Sequence, residues 1–180
     1  MPDLSERPVL VRALFLGLAL VIVLLDQWTK TMVLTQIPLH DSVTVIPGFF
    51  NLTHVQNNGA AFGFFSGMAS PTKTMILNLI AMGILVFVAS FSFKSPATAW
   101  LLQLGLALTM GGAVGNLIDR VRLGAVTDFL HFYIGDFHWW SFNVADSAIT
   151  VGVCFLAWEL WKAPEPREGE SQEGSGGNAS

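Results

Sequence analysis

Two aspartates, Asp128 and Asp146, stand in apolar surroundings, one within Val126-Thr127-Asp128-Phe129 and the other within Phe142-Asn143-Val144-Ala145-Asp146-Ser147. Singly, Asp128 is an isolated acid, and Asp146 suits the start of a helix, where a short acidic side chain caps free N–H groups. Together they are two carboxyls at one membrane edge, a setting that suits a pair in which one is ionised and the other protonated. Further polar groups recur at helical spacing. Asp26 and Lys30 are i, i+4 with the acid first, the favourable order for a pair that lowers the cost of both charges in an apolar setting. Asn116, Asp119 and Arg120 lie at i, i+3 and i+4, so they share a helix face just after Gly111-Gly112-Ala113-Val114-Gly115, whose glycines permit close helix approach. Asp119 and Arg120 read either as a structural ion pair or as a site for a substrate head group, to which the planar guanidinium is suited. Asn57-Asn58-Gly59 is a strong turn signal, and its small residues would also let a backbone approach a bound peptide.

The elements that must position these groups follow from where charge is missing. Of 180 residues 52% are hydrophobic and only 12% charged, against about 25% in soluble domains, which excludes an ordinary soluble globule. Tested against the ~20 apolar residues that a ~30 Å hydrocarbon layer requires, four segments qualify as membrane-spanning helices, at about 12–34, 74–93, 97–118 and 142–162. The stretch 42–66 also lacks Asp, Glu, Lys and Arg, but Pro47, Gly48, Asn51, His54, Gln56, Asn57 and Asn58 would not face lipid together. The alternation in Phe50-Asn51-Leu52-Thr53 makes it a β segment at the membrane surface. Arg7 and Arg12 precede an apolar run as in a signal peptide, yet no small-x-small site follows, so the first helix is expected to be retained. Residues 1–162 then form one membrane domain, and the Pro-, Glu- and Gly-rich 163–180 is expected to be disordered. The net charge of -4 owes much to that tail and excludes a nucleic-acid surface. The single cysteine, Cys154, sits between Val153 and Phe155 and reads as a small hydrophobe.

Four spans put both termini on one side. Arg7, Arg12, Lys94, Lys162 and Arg167 fall there against Lys30, Lys73, Arg120 and Arg122 opposite, a bias of five to four for cytoplasmic termini. Independently of orientation, one membrane face collects Asp26, Lys30, Asn116, Asp119, Arg120, Asp128 and Asp146 together with the 42–66 segment, and ionisable groups so placed usually face a protein interior or a water-filled cavity. Competing chemistry has little support. His40, His54, His131 and His138 form no His-Glu-x-x-His, and a Ser-Lys hydrolase would have to draw on Lys30 or Lys73 with Ser66, Ser70 or Ser141. The rival of another class is a transporter or assembly subunit whose buried acids carry protons or lock helices.

Five motifs occur in one order: Asp26-x-x-x-Lys30, Asn57-x-Gly59-Ala60-Ala61-Phe62, Gly111-Gly112-Ala113-x-Gly115-Asn116-x-x-Asp119-Arg120, Val126-x-Asp128-Phe129 and Phe142-Asn143-x-Ala145-Asp146. In this the chain resembles lipoprotein signal peptidase, the bacterial signal peptidase II family. The resemblance implies four transmembrane helices with a small extracytoplasmic β-cradle. It implies an aspartic endopeptidase of the bacterial inner membrane that cuts diacylglyceryl-modified prolipoproteins just before the lipid-bearing cysteine. Its dyad would be Asp128 and Asp146. Asn57, Gly59, Asn116, Arg120, Asn143 and Ala145 would line or support the site, and Asp26, Lys30 and Asp119 would stabilise its surroundings. The implied partners are the lipidated precursor and membrane lipid, with no metal, cofactor or nucleic acid. One aspartate would take a proton from a water held between the two while the other donates to the scissile carbonyl, without a covalent intermediate. Thr127 stands where the family often has a second Val, His131 where a further Asp is frequent, and Gly63 where Ser is common.

Overall fold

The computed structural model describes residues 8–59 and 70–162. Along the chain run α1 (Pro8–Gln36), β1 (Ser42–Ile46), β2 (Phe50–Asn57), α2 (Ser70–Lys94), α3 (Trp100–Leu123), β3 (Val126–Ile134), β4 (Phe137–His138) and α4 (Val144–Lys162). The fold is four apolar helices with one small antiparallel sheet in the order β1-β2-β3-β4. Even the shortest helix, α4 with 19 residues, is long enough to cross a hydrocarbon layer at about 1.5 Å per residue.

Helix ends differ from those expected because charged residues find partners inside the bundle. Arg12 does not bound α1, which already includes the described residues from Pro8 onward. The Arg12 guanidinium instead donates to Ser92 O at 2.7 Å and Ser95 O at 3.0 Å, closing free carbonyls around the end of α2. α3 does not stop at 118. Asp119 and Arg120 remain helical, and the helix ends where Gly124, at φ 75°, sends its N–H to Arg120 O. The turn 60–66, expected to complete the surface β segment, and the tail 163–180 lie outside the described residues.

α3 is the central helix, packed against α1, α2 and α4. Its glycines make this possible. A Cβ at Gly112 would run into the Ala145 carbonyl of α4, and one at Gly111 would meet Ala19 O of α1. Gly105 and Gly152 face each other across α3 and α4 in the same way. Among the described residues α2, by contrast, packs along α3, and its C-terminal end meets α1 through Arg12.

The sheet sits on the end of α1. Val33, Ile37 and Phe129 are buried together, with Leu52, Leu130 and Val144 packed around them, so one small core fixes β2, β3 and the start of α4 to α1. β3 and β4 are not among the elements read from the sequence, and Asp128, an isolated acid there, stands on β3. Val126, Thr127, Asp128 and Phe129 are all buried, and a strand covered on both faces loses the two-residue alternation that reveals a half-exposed one.

Candidate active site

Asn143 stands immediately before α4 and is fully buried. Its side-chain amide donates to Asp128 Oδ1 at 2.8 Å, and its backbone N–H reaches Asp146 Oδ2 at 3.2 Å, so one residue holds both carboxyls. Asn143 Oδ1 in turn accepts the Asp146 N–H at 2.9 Å. Asn143 and Asp146 therefore satisfy each other's backbone donors as a reciprocal cap. Asp146 caps the helix, as its position suggested, and also presents its carboxyl to the site. Asp128 approaches from β3, where it pairs with Val55 of β2, and its Oδ2 accepts from Asn57 Nδ2 at 3.0 Å.

A second polar layer lies behind. Lys30 contacts Asp26 at 2.8 Å and Asp119 at 3.1 Å, and donates to Asn116 Oδ1 at 2.9 Å. Asn116 Nδ2 passes the contact on to Asp146 Oδ1 at 2.7 Å. The two acids also tie backbone to the cluster. Asp26 accepts the Ala145 N–H at 3.0 Å and Asp119 accepts the Thr127 N–H at 3.0 Å, which anchors the residues preceding Asp146 and Asp128. The suggested Asp119–Arg120 ion pair is therefore replaced by Asp119–Lys30. The helix turns Asp119 towards α1, while Arg120 lines cavities on the α2 side.

Gly59 has φ 72°, its N–H donates to Asn57 Oδ1 at 2.9 Å, and a Cβ there would run into Leu77 of α2. Glycine thus permits both the turn and the close approach of β2's end to α2. Asn58 is exposed beside them, whereas Ala60, Ala61, Phe62 and Gly63 lie outside the described residues. Thr127 Oγ1 is buried without a hydrogen-bond partner, so the hydroxyl adds nothing that the family's frequent Val would lack. His131 lies an odd number of residues from Asp128 and hence on the other face of β3. There it stacks on Tyr133 and His138, away from the dyad.

Burial is the main cause of an Asp128 carboxyl pushed up to about 6, and the negative charge of Asp146 adds to it. Hydrogen bonds from Asn57 and Asn143 and the charge of Lys30 oppose the rise. Three cavities meet at the pair. One of about 300 Å³ lies between α2, α3 and α4 and is lined by Leu77, Ile84, Ala113, Asn116, Arg120 and Asp146, among others. A second, about 340 Å³, runs along Val55 to Asn58 to Asp128, and a third, about 420 Å³, lies between Trp139, Trp140 and the start of α4 and ends at Asp146. Sequence reasoning missed Gln27, whose amide donates to Asp119 at 2.9 Å and Gly115 O at 3.2 Å. A polar residue beside Asp26 in an otherwise apolar helix was the available signal. Trp140 and Ser141, the latter weighed in the sequence only as a hydrolase nucleophile, line two of the cavities.

Fold and site together define an integral membrane protein with a buried, carboxylate-bearing polar centre at one end of its helices. The family described as Signal peptidase (SPase) II matches residues 18–162, and the chain belongs to that family. It is similar to the lipoprotein signal peptidase of Desulforapulum autotrophicum, 44% identical over 78% of this chain and 86% of that one. The lipoprotein signal peptidase of Syntrophus aciditrophicus is likewise 44% identical, over 82% of this chain and 91% of that one. Two solved structures of a bacterial membrane enzyme, obtained by the in meso method, are each 35% identical to it. One covers 83% of this chain and 88% of its own with a TM-score of 0.73, the other 84% and 95% with 0.72. Membership makes the protein a protease, and the four apolar helices agree with a place in the bacterial inner membrane.

Proposed function

We propose that the protein is an aspartic endopeptidase that removes signal peptides from diacylglyceryl-modified prolipoproteins, cutting before the lipid-bearing cysteine with a water activated by Asp128 and Asp146. The observation that carries this reading is the joint hold of Asn143 on both carboxyls. Like-charged acids brought together in a desolvated site share a proton, so one serves as base and the other as acid. The ionised carboxylate takes a proton from the water as its oxygen attacks the scissile carbonyl carbon. The protonated one donates to the carbonyl oxygen, giving a neutral gem-diol that collapses as the leaving nitrogen is protonated. Asn57, Asn116 and Asn143 orient the carboxyls. Gly59 keeps the β2 turn close to α2, Ala145 and the Asp26–Lys30–Asp119 cluster support the start of α4, and Arg120, which has no ion pair among the described residues, faces the cavities to meet a substrate carbonyl or phosphate. Because α2 and α4 both pack on α3 but, among the described residues, not on each other, the cavity between them is a lateral entrance for the precursor's apolar segment. The membrane then presents the substrate in a restricted orientation.

The direct test is a gel-shift cleavage assay on a diacylglyceryl-modified prolipoprotein beside its unlipidated form. Cleavage of the lipidated form alone supports the reading, and equal or absent cleavage of both removes it. The pH dependence has a definite sign. Above about 6 the pair loses the proton it must donate, and at lower pH it gains one that removes the base, so kcat/KM should be bell-shaped with its alkaline limb starting near that value. A bound substrate adds desolvation, so the alkaline limb of kcat should lie at higher pH. A flat profile from about pH 4 to about pH 8, ~2 units either side of the Asp128 carboxyl at about 6, would contradict it.

Residues 1–162 are the catalytic domain in this proposal and 163–180 a cytoplasmic tail that lies outside the described residues. Both termini are cytoplasmic, and the site lies near the extracytoplasmic face. A reporter fused after Glu168 should be active only as a cytoplasmic label and one inserted at Gly67 only as an extracytoplasmic one. The reverse pattern would invert the topology.

A further inference from the structure

We infer that the cavity between the Trp139-Trp140 segment and the start of α4 is the subsite for the substrate's diacylglyceryl group, with Trp140 in the fork between lipid and peptide chain. This rests on the proposed function and adds to it the place where the lipid lies.

The residue after the scissile bond is branched. Its side chain carries two acyl chains that must reach the bilayer, and its main chain continues as polar polypeptide towards water. Two cavities with matching character end at the two carboxyls. The one reaching Asp128 is lined by Gln56, Asn57, Asn58 and Ser141 and suits a main chain. The one reaching Asp146 is lined by Trp139, Trp140, Phe142 and Val151, with the hydroxyls of Ser141, Ser147 and Thr150 among them, and suits a glyceryl ester that continues as hydrocarbon. It opens beside Thr150 and Val151, both exposed on the outer flank of α4 where lipid would lie. Trp140 and Ser141 line both cavities and so form the ridge between them. Trp140 is 81% exposed, a large indole at the junction of the two cavities that reach the carboxyls. The rival location is the 520 Å³ groove between α2 and α3, lined by Met75, Leu79, Met82 and Val121, which reaches Arg120 but neither carboxylate.

Size supplies the test. Two butyryl chains fit within about 420 Å³, whereas two palmitoyl chains, at roughly 30 Å³ for each water-sized group, overflow it and must pass Val151. Val151→Trp places an indole at that mouth on an exposed position. Turnover of purified wild type, Val151→Trp, Leu79→Trp and Trp140→Ala should be compared on dibutyrylglyceryl and dipalmitoylglyceryl forms of one precursor. Val151→Trp should lower kcat/KM for the dipalmitoyl form about ten-fold through KM, the loss produced by exposing two methylenes, and leave the dibutyryl form near wild type. Retained dibutyryl turnover also certifies that the variant is folded. Leu79→Trp should not alter the ratio of the two substrates. Trp140→Ala should raise KM for both without moving the pH profile, with Trp140→Phe largely restoring it. Equal effects of Val151→Trp on both chain lengths, no effect on either, or a ratio that changes with Leu79→Trp instead overturns the subsite. An unchanged KM in Trp140→Ala overturns the role of the ridge. Asp128→Asn run alongside separates the two levels of argument, because cleavage by that variant would remove the proposed function itself.

Discussion

Asp128→Asn and Asp146→Asn should each abolish precursor cleavage, by about 10²–10⁴-fold or more as for loss of an acid–base group, in protein that still folds and still binds lipidated precursor. Both substitutions preserve shape. The Asn143 Oδ1 to Asp146 N–H bond does not involve the 146 side chain and survives the change, so α4 remains capped. At position 128 a neutral amide still offers an oxygen to one of its two amide donors, Asn57 and Asn143. What disappears is ionisation, and with it either the base or the proton that the pair must share. Because the two carboxyls act as one unit, the double variant should lose little more than either single one. Near-normal turnover by either single variant, with unchanged thermal unfolding in detergent, would end the aspartic mechanism.

The second large effect is expected on stability. Lys30→Met should lower folded yield and unfolding free energy by about 3–5 kcal/mol, the usual cost of removing one partner from a buried charge cluster. Asp26 and Asp119 would then face each other's charge without a cation, both almost fully buried. Asp26→Asn should be milder, because Lys30 keeps Asp119. Adding Asp26→Asn and Asp119→Asn to Lys30→Met removes the orphaned charges and should recover part of the loss. Equal stability of wild type and Lys30→Met, measured by denaturant titration in one detergent, would show that the cluster is not a structural keystone.

The parts of this protein that could be read from its sequence are those whose signal is local. Four charge-poor runs announce four helices because hydrocarbon tolerates little else. The spacing of Asp26 and Lys30 announces their contact because a helix repeats at that interval. Where the signal depends on the partner, it was not legible. Asp119 could have turned to Arg120, its sequence neighbour, and only the packing of α1 on α3 gives it Lys30 instead. Arg12 resembled a boundary residue until α2's terminal carbonyls were brought beside it. β3 was hidden because burial on both faces leaves no alternation to detect. Asp128 and Asp146 could be paired through family resemblance, but Asn143 as their common holder is a property of the folded chain.

That common holder also bears on safety in the cell. A hydrolase embedded among other membrane proteins is hazardous if a half-assembled copy retains its chemistry. Here the residue just before α4 is the one that holds both acids, so, on the mechanism proposed, fraying of that first helical turn and dismantling of the catalyst are a single event. On that mechanism, a copy whose last helix has not yet been inserted or docked has no assembled pair with which to cut its neighbours.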